Sequence, residues 1–452
     1  MHRVAVIGSG IAGLGAAWRL SRPQAGQPPL QVTLFEAGRH FGGHAHTVDL
    51  ALDGVHQGVD TGFLVYNQRT YPLLTQLFAE LGVEVAASDM SFSVQVPRPD
   101  GRPGLEWSGS TLDSVFAQRR NLLRPRFLKM LREVLRFNAL AAETVEGFPH
   151  LTLGEFLDKL KLGDWFRRYY LLPMAGAIWS CPPKDMLDFP ARSFVRFFAN
   201  HGLLANSGQP QWYTVTGGAR NYVARMTQSF AHGIRENCGA VRVTRERDGV
   251  HVTDSSGTRE RYDEVVLACH GDEARALLAD PSPQEAEIPS AFRYQENRAL
   301  LHRDTRVMPK RKACWASWVY HATRATREPK IAVSYWMNNL QGIDNRYPLF
   351  VTLNPTREIA PELVFDEHMF THPMFDARAV AAQARLPAIQ GVRNTWFCGA
   401  HWRNGFHEDG LASAVAVAKG FGITPPWTVG ETQIVTQPQA EPALAPVPAA
   451  AE

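Results

Sequence analysis

Val4-Ala5-Val6-Ile7-Gly8-Ser9-Gly10-Ile11-Ala12-Gly13 decides the fold. A short apolar strand runs into a glycine turn, and a helix with apolar residues at Ile11, Leu14 and Leu20 opens directly after it. In such a turn Gly8 permits the tight bend, Gly10 lets backbone approach a pyrophosphate, and Gly13 lets helix pack against strand, with the phosphates at the helix N-terminus. After a loop rich in proline and glycine, a second strand from Gln31 to Phe35 ends at Glu36. A carboxylate there can accept hydrogen bonds from ribose hydroxyls. Strand, helix, strand and acid together predict a β-α-β unit, a parallel sheet and a dinucleotide site, against the plainer reading of a glycine turn with no ligand.

Gly42-Gly43 follows within a turn of Glu36, and Val59-Asp60-Thr61-Gly62 comes a little later. Both are further places where backbone must lie close to an extended ligand, which favours FAD over NAD. Far along the chain, Ala240 to Val243, Val250 to Val252 and Tyr262 to Ala268 read as short strands joined by turns at Asp248-Gly249 and Ser256-Gly257. Glu264 to Ala268 is apolar enough to return to the first sheet, as is Asn394 to Cys398, and Gly410 to Gly420 reads as an alanine-rich helix. The predicted fold is α/β: a Rossmann-like, discontinuous FAD-binding domain of residues 1–85, 212–290 and 388–423. An inserted α+β substrate domain with an antiparallel sheet and helices takes residues 86–211 and 291–387. From Thr424 onward proline, alanine, glutamine and glutamate dominate without lysine or arginine, which describes a disordered tail over 424–452.

On these motifs the sequence resembles the flavin amine oxidase superfamily, which includes monoamine oxidases, protoporphyrinogen oxidases and phytoene desaturases. The resemblance covers Glu36-Ala37 through Gly43, then Asp60-Thr61-Gly62, then Phe397-Cys398-Gly399-Ala400 and Gly405-Phe406-His407-Glu408-Asp409-Gly410-Leu411-Ala412-Ser413-Ala414. It implies that Gly8, Gly10, Ile11, Ala12, Gly13, Glu36, Ala37, Gly42, Gly43 and His44 surround FAD from one side. Val241 is expected to place backbone against the adenine, and Ala268 to end the strand that passes the cofactor. Gly399, Ala400, Gly410 and Leu411 belong to a closing motif in which a helix N-terminus faces the flavin pyrimidine. Backbone N–H groups and the positive helix end stabilise the negative charge that reduction brings there. The chain departs from the family at the glycine pair, where histidines His40 and His44, with His46 nearby, stand in place of arginines. Cys398 lies inside the closing motif rather than well upstream of it, so the flavin is expected to be held non-covalently.

Composition narrows the function further. The 452 residues carry a net charge of +3, too mild to point to nucleic acid as partner. The five cysteines are scattered singly and show no zinc spacing, so no metal site is expected and free thiols of a reducing cytoplasm fit best. Met1 leads straight into the first strand, leaving no room for a secretory signal, and no uncharged apolar run reaches the roughly 20 residues that cross a bilayer. A cytoplasmic location follows, with peripheral contact at the inner membrane surface left open.

Removing a hydride from carbon requires little beyond positioning and the exclusion of water, so the substrate must be read from pocket residues. Trp315, Trp318, Tyr320, Tyr335 and Trp336 are candidate walls, although an aromatic core accounts for them equally well. Trp402, His407 and Glu408 are the candidates for catalysis, the last two for proton handling. Between Arg119 and Phe137 seven basic residues stand against one acid, and Phe127, Met130, Leu131 and Val134 recur at helical spacing. This pattern suits a helix on anionic lipid, and equally a helix packed on its own domain. The stretches around Leu301-His302, Trp315 to Trp318, Tyr335 to Asn338 and Val351 to Pro355 resemble one bacterial subgroup. Its members are often encoded beside cyclopropane-fatty-acid synthases, and one relative is implicated in dehydrogenating methylated fatty acyl chains on the way to furan fatty acids. Three readings result: dehydrogenation of a lipid acyl chain, oxidation of an amine or a carotenoid or porphyrin, and a flavin-carrying partner without chemistry of its own.

Overall fold

Residues 1–22, 30–97, 103–205, 208–322, 332–424 and 427 are described by a computed structural model. The opening motif forms as read: strand His2–Ile7 enters helix Ile11–Leu20, and strand Leu30–Phe35 returns beside the first. These two belong to a five-stranded parallel sheet ordered Ile234–Arg235, Leu30–Phe35, His2–Ile7, Glu264–Leu267 and Thr395–Phe397. The strands are apolar at successive positions because both faces are covered. Val4 and Val6 pack with Leu14 and Trp18 on one side, while Ala5 and Ile7 pack with Val250, Tyr262 and Phe397 on the other. A three-stranded antiparallel sheet, Ala240–Glu246, Gly249–Asp254 and Arg259–Tyr262, supplies part of that second layer.

A seven-stranded sheet stands apart from the first. Its order is Val364–Met374, Arg293–His302, Phe350–Leu353, Val333–Trp336, Trp318–His321, Phe92–Pro97 and Pro103–Ser108. All its neighbours are antiparallel except Trp318–His321 and Phe92–Pro97, so residues from both sides of the 212–290 segment join in one layer. Helices Pro125–Glu146, Leu172–Trp179 and Ala191–Asn200 cover one face, burying Phe127, Met130, Phe137, Phe194 and Phe198 with Tyr320, Tyr335 and Phe370 of the sheet. Smaller pieces tie the two sheets together: Trp212–Val215 pairs with both Tyr66–Asn67 and Val85–Ser88.

Two boundaries differ from the sequence expectation. The closing helix spans His407–Gly420, beginning three residues before Gly410, because Asp409 accepts from the Phe406 N–H (3.0 Å) and caps the earlier turn. Asn394 takes a left-handed conformation (φ 59°), so the last parallel strand starts at Thr395. Most of the segment expected to be a disordered tail lies outside the described residues; within it, the Trp427 ring stacks on Trp18 at 6.0 Å.

Candidate FAD site

The glycine turn at the end of the first strand is shaped by what each position can hold. Gly8 has φ +102°, and its N–H donates to the Phe35 carbonyl (2.9 Å). A Cβ on Gly13 would sit 1.8 Å from the Gly8 carbonyl oxygen, so the helix can approach the turn only without a side chain there. At Gly10, the N-cap of the helix, an added Cβ would meet nothing within 4 Å. The middle glycine therefore opens onto free space at a helix N-terminus, the place where a phosphate binds.

Three other segments close around this turn. Glu36 leans over it, its Oε2 accepting from the Ser9 N–H (3.0 Å) and hydroxyl (2.6 Å) and its Oε1 from the Gly38 N–H (2.8 Å). Gly42 donates its N–H to the Ser9 carbonyl (3.0 Å), and a Cβ on Gly43 would lie 3.0 Å from Gly10 Cα. From the far end of the sequence, a Cβ on Gly410 would lie 2.7 Å from Ile11 Cγ2, and the Leu411 side chain lies 3.0 Å from where one would stand on Gly15. Residues some 400 apart in the chain thus meet at one helix N-terminus. Ala268 ends its strand against the same turn, donating its N–H to the Ile7 carbonyl (2.8 Å). Gly399 donates to Ser413 Oγ (2.8 Å), and Ala400 lies near Gly410. Ala37 abuts Gly239, and the Cys238 N–H bonds the Glu36 carbonyl (2.8 Å). Val241, three residues further on, has an exposed side chain.

His44 follows the glycine pair and is half-buried, with its Nε2 turned inward. Its ring stacks on Phe370 (5.0 Å between centroids) and meets His372 edge-on (5.0 Å), and its Nε2 has no partner. His46 stacks on His368 (4.6 Å) and meets His40 (4.7 Å). Burial is the main cause that lowers the pKa of all five histidines, to about 4 for His46 and His372. They are neutral at pH 7, and His40, His46 and His372 already hydrogen-bond within the protein, so none is a cationic replacement for arginine. The sequence reading missed His368, Phe370 and His372. Their alternation on strand Val364–Met374, which turns all three toward the glycine-pair loop, was the available signal.

Several expected roles change on contact with the geometry. Glu408 accepts at both oxygens from the N–H groups of Leu73 (2.8 Å) and Leu74 (3.0 Å), capping helix Pro72–Leu81, so its carboxylate is committed to structure. Burial raises its pKa to about 7. His407 stacks on Phe63 (3.8 Å) and hydrogen-bonds Tyr222 Oη through Nε2 (3.1 Å); burial lowers its pKa to about 3. Trp402 is buried against Phe292 (5.0 Å) on the face of the parallel sheet opposite the first helix. Asp60 turns its carboxylate inward, accepting from the Ala219 N–H (2.9 Å), Thr47 Oγ1 (2.5 Å) and Gln341 Nε2 (3.0 Å), while burial pushes its pKa to about 7. The five aromatic residues expected to line one pocket divide between two faces of the seven-stranded sheet. Trp318, Tyr320 and Tyr335 face the helices, whereas Trp315 and Trp336 pack with Phe350 on the other side. Strand alternation forces this split, since Tyr335 and Trp336 are neighbours. Cys398 is buried at the end of the last parallel strand, donating its N–H to the Leu267 carbonyl (3.0 Å).

The open glycine cradle, the acid beside it and the unpartnered His44 Nε2 fit a bound dinucleotide whose phosphates rest on the first helix. The family profile described as flavin containing amine oxidoreductase matches residues 11–335, and the chain belongs to that family. It is a FAD-dependent oxidoreductase. No curated protein matches the sequence. Among solved structures, the CLA-producing fatty acid isomerase from P. acnes is 16% identical, with 93% of this chain and 98% of that one covered and a TM-score of 0.62. Putrescine oxidase bound to putrescine is 14% identical over 93% and 98% (TM-score 0.63). Cyclohexylamine oxidase from Brevibacterium oxydans is 15% identical over 93% and 99% (TM-score 0.63). At these identities the likeness concerns the fold.

Proposed function

We propose that this FAD-dependent oxidoreductase acts on a neutral, apolar substrate, most specifically a methyl-branched fatty acyl chain of membrane lipid, and leaves it desaturated. One observation carries the reading: every carboxylate buried among the described residues already has its partners. Asp60, Glu133, Asp254 and Asp409 accept from backbone N–H groups, and Glu106, Glu285 and Asp304 pair with arginines. An alkylammonium substrate is held best by a buried anion with a free oxygen, because its charge loses hydration on entry. Around His44 the side chains are Phe370, His372 and His407, all uncharged at pH 7, and the neighbouring core adds Tyr320, Tyr335 and Leu64. Such a surroundings suits hydrocarbon.

Bound FAD would supply the acceptor for both hydrogens of the substrate, one as a hydride and one as a proton. The protein's part is to hold the chain and keep water out. The fold it shares with a fatty acid isomerase is compatible with a fatty acyl ligand. The resemblance to the bacterial subgroup named above supports a methylated chain.

The test is anaerobic mixing of the flavin-loaded protein with phospholipids whose acyl chains do or do not carry methyl branches, and separately with putrescine and cyclohexylamine. Loss of flavin absorbance with the branched lipid is the expected result. Bleaching by the amines alone would overturn the reading.

A further inference from the structure

We infer that the turn Arg119–Leu123 and the outward side of helix Pro125–Glu146 form a docking surface for an anionic lipid bilayer. The apolar residues that the sequence pattern pointed to are not the ones that dock. Phe127 and Met130 are buried in the domain core, and Leu131 and Val134 pack against it. They fasten the helix to the protein.

A second apolar set lies on the outside. Of the twelve large hydrophobic side chains exposed among the described residues, six fall between residues 112 and 140. Leu123 is 87% exposed and Leu112 is 80% exposed, far more than folding requires of a leucine. Leu112 is brought near the turn by the Arg119 to Asp113 ion pair (2.5 Å). Along the helix Leu128 and Leu135 are seven residues apart and therefore share one stripe, with Arg132 between them. Water gains nothing from such an arrangement, whereas a bilayer interface takes up the leucines and pairs the arginines.

Charge complementarity selects the occupant. Arg126, Arg132 and Arg136 are exposed and have no ion-pair partner among the described residues. Between Arg119 and Phe137 the one acid, Glu133, points inward and accepts from the Gly163 N–H (3.2 Å), and toward the helix end Glu146 is paired with Arg192 and Arg196, leaving Glu143 as the exposed acid there. The surface is thus cationic and leucine-tipped, the combination that partitions into the headgroup region of anionic membranes. Nucleic acid would use the cations and leave the leucines wet. The same helix backs the core that contains Tyr320, Tyr335 and Phe370, which places the bilayer beside the layer where a lipid substrate would lie. No helix among the described residues is long and apolar enough to cross a membrane.

The test is cosedimentation of the flavin-loaded full chain with vesicles of phosphatidylglycerol and phosphatidylcholine, against vesicles of phosphatidylcholine alone. Binding should require the anionic lipid and fall at least roughly ten-fold in the triple variant R126E/R132E/R136E and on raising salt. In a Leu123→Trp variant, with the other tryptophans as background, emission should shift to the blue on anionic vesicles. Retained flavin and an unchanged melting temperature establish that each variant is folded. Equal binding to both vesicle types, unchanged binding by the triple variant, or burial of this surface in a stable oligomer of the wild type would each overturn the inference. Vesicle binding is read without turnover, so it stands or falls separately from the substrate assignment.

Discussion

At the end of the parallel sheet, the site is defined by missing side chains; on the seven-stranded sheet it is defined by those that are present. Gly8, Gly13, Gly43 and Gly410 each sit where an added Cβ would meet another segment at 3.0 Å or less. Forty residues of separation or four hundred make no difference there, since all four guard contacts between backbone and neighbours around one helix N-terminus. Facing them, His44, Phe370 and His372 fill space with rings. The first region is built for a ligand of fixed shape, and the second can be re-cut for different substrates without disturbing the cofactor. The contrast fits a family whose members share a flavin and differ in what they oxidise.

The sharpest way to break this contrast is to put a methyl group on two glycines of the same turn. Gly13→Ala drives a Cβ into the Gly8 carbonyl and should cost more than the roughly 1–3 kcal/mol typical of overpacking, because the obstacle is backbone. Colourless protein with a lowered melting temperature is expected. Gly10→Ala meets no protein atom, so the apoprotein should melt as the wild type does while FAD affinity drops about ten-fold or more, some 1.4 kcal/mol. Calorimetric titration with FAD and thermal melts separate the two. Equal behaviour of both variants would mean that the turn holds no ligand.

Acid should strike the histidine-lined side next. His46, His201, His302, His321 and His372 have folded-state pKa values lowered to about 4 by burial. A histidine in the unfolded chain titrates near 6.5, so between pH 6.5 and 4 the unfolded state binds more protons than the folded one. The stability these groups allow is complete above pH 6.5 and is lost as pH falls toward 4. Denaturant midpoints should fall over that window, with several protons taken up on unfolding, and His372→Phe should flatten the slope. A midpoint independent of pH there would show that the rings are not held neutral.

The smallest effect concerns the two sides of the aromatic strand. Tyr335→Phe faces the helical layer and should change KM for the substrate several-fold, whereas Trp336→Phe lies on the opposite face and should leave kinetics unchanged. Steady-state rates decide it, and a kinetic effect of Trp336→Phe alone would reverse the assignment of faces.

Legibility followed the same division. The parallel-sheet end was readable because glycine spacing and the position of Glu36 are local signals, and two such signals at opposite ends of the chain needed only to be brought together. What failed was local sequence asked to report on a face. Trp315 and Trp336 looked like partners of Trp318 by composition, yet which side of a sheet each residue takes is set by strand register and by what packs above. Phe127 and Met130 gave a correct helical period and an ambiguous destination, since core and membrane both accept an apolar stripe. Glu408 looked like a proton carrier next to the closing motif; its true task, capping a helix more than three hundred residues earlier, is a long-range contact that no spacing announces.

One FAD held between Glu36 and Gly410 underlies both the glycine effects and the substrate reading. A crystal structure of the flavin-loaded chain measures this directly. It should show one FAD, with the ribose hydroxyls at the Glu36 carboxylate, the phosphates over Gly10 and the flavin ring at the backbone N–H groups of Gly410 and Leu411. Protein that refuses FAD, or a flavin bound away from either residue, would contradict it.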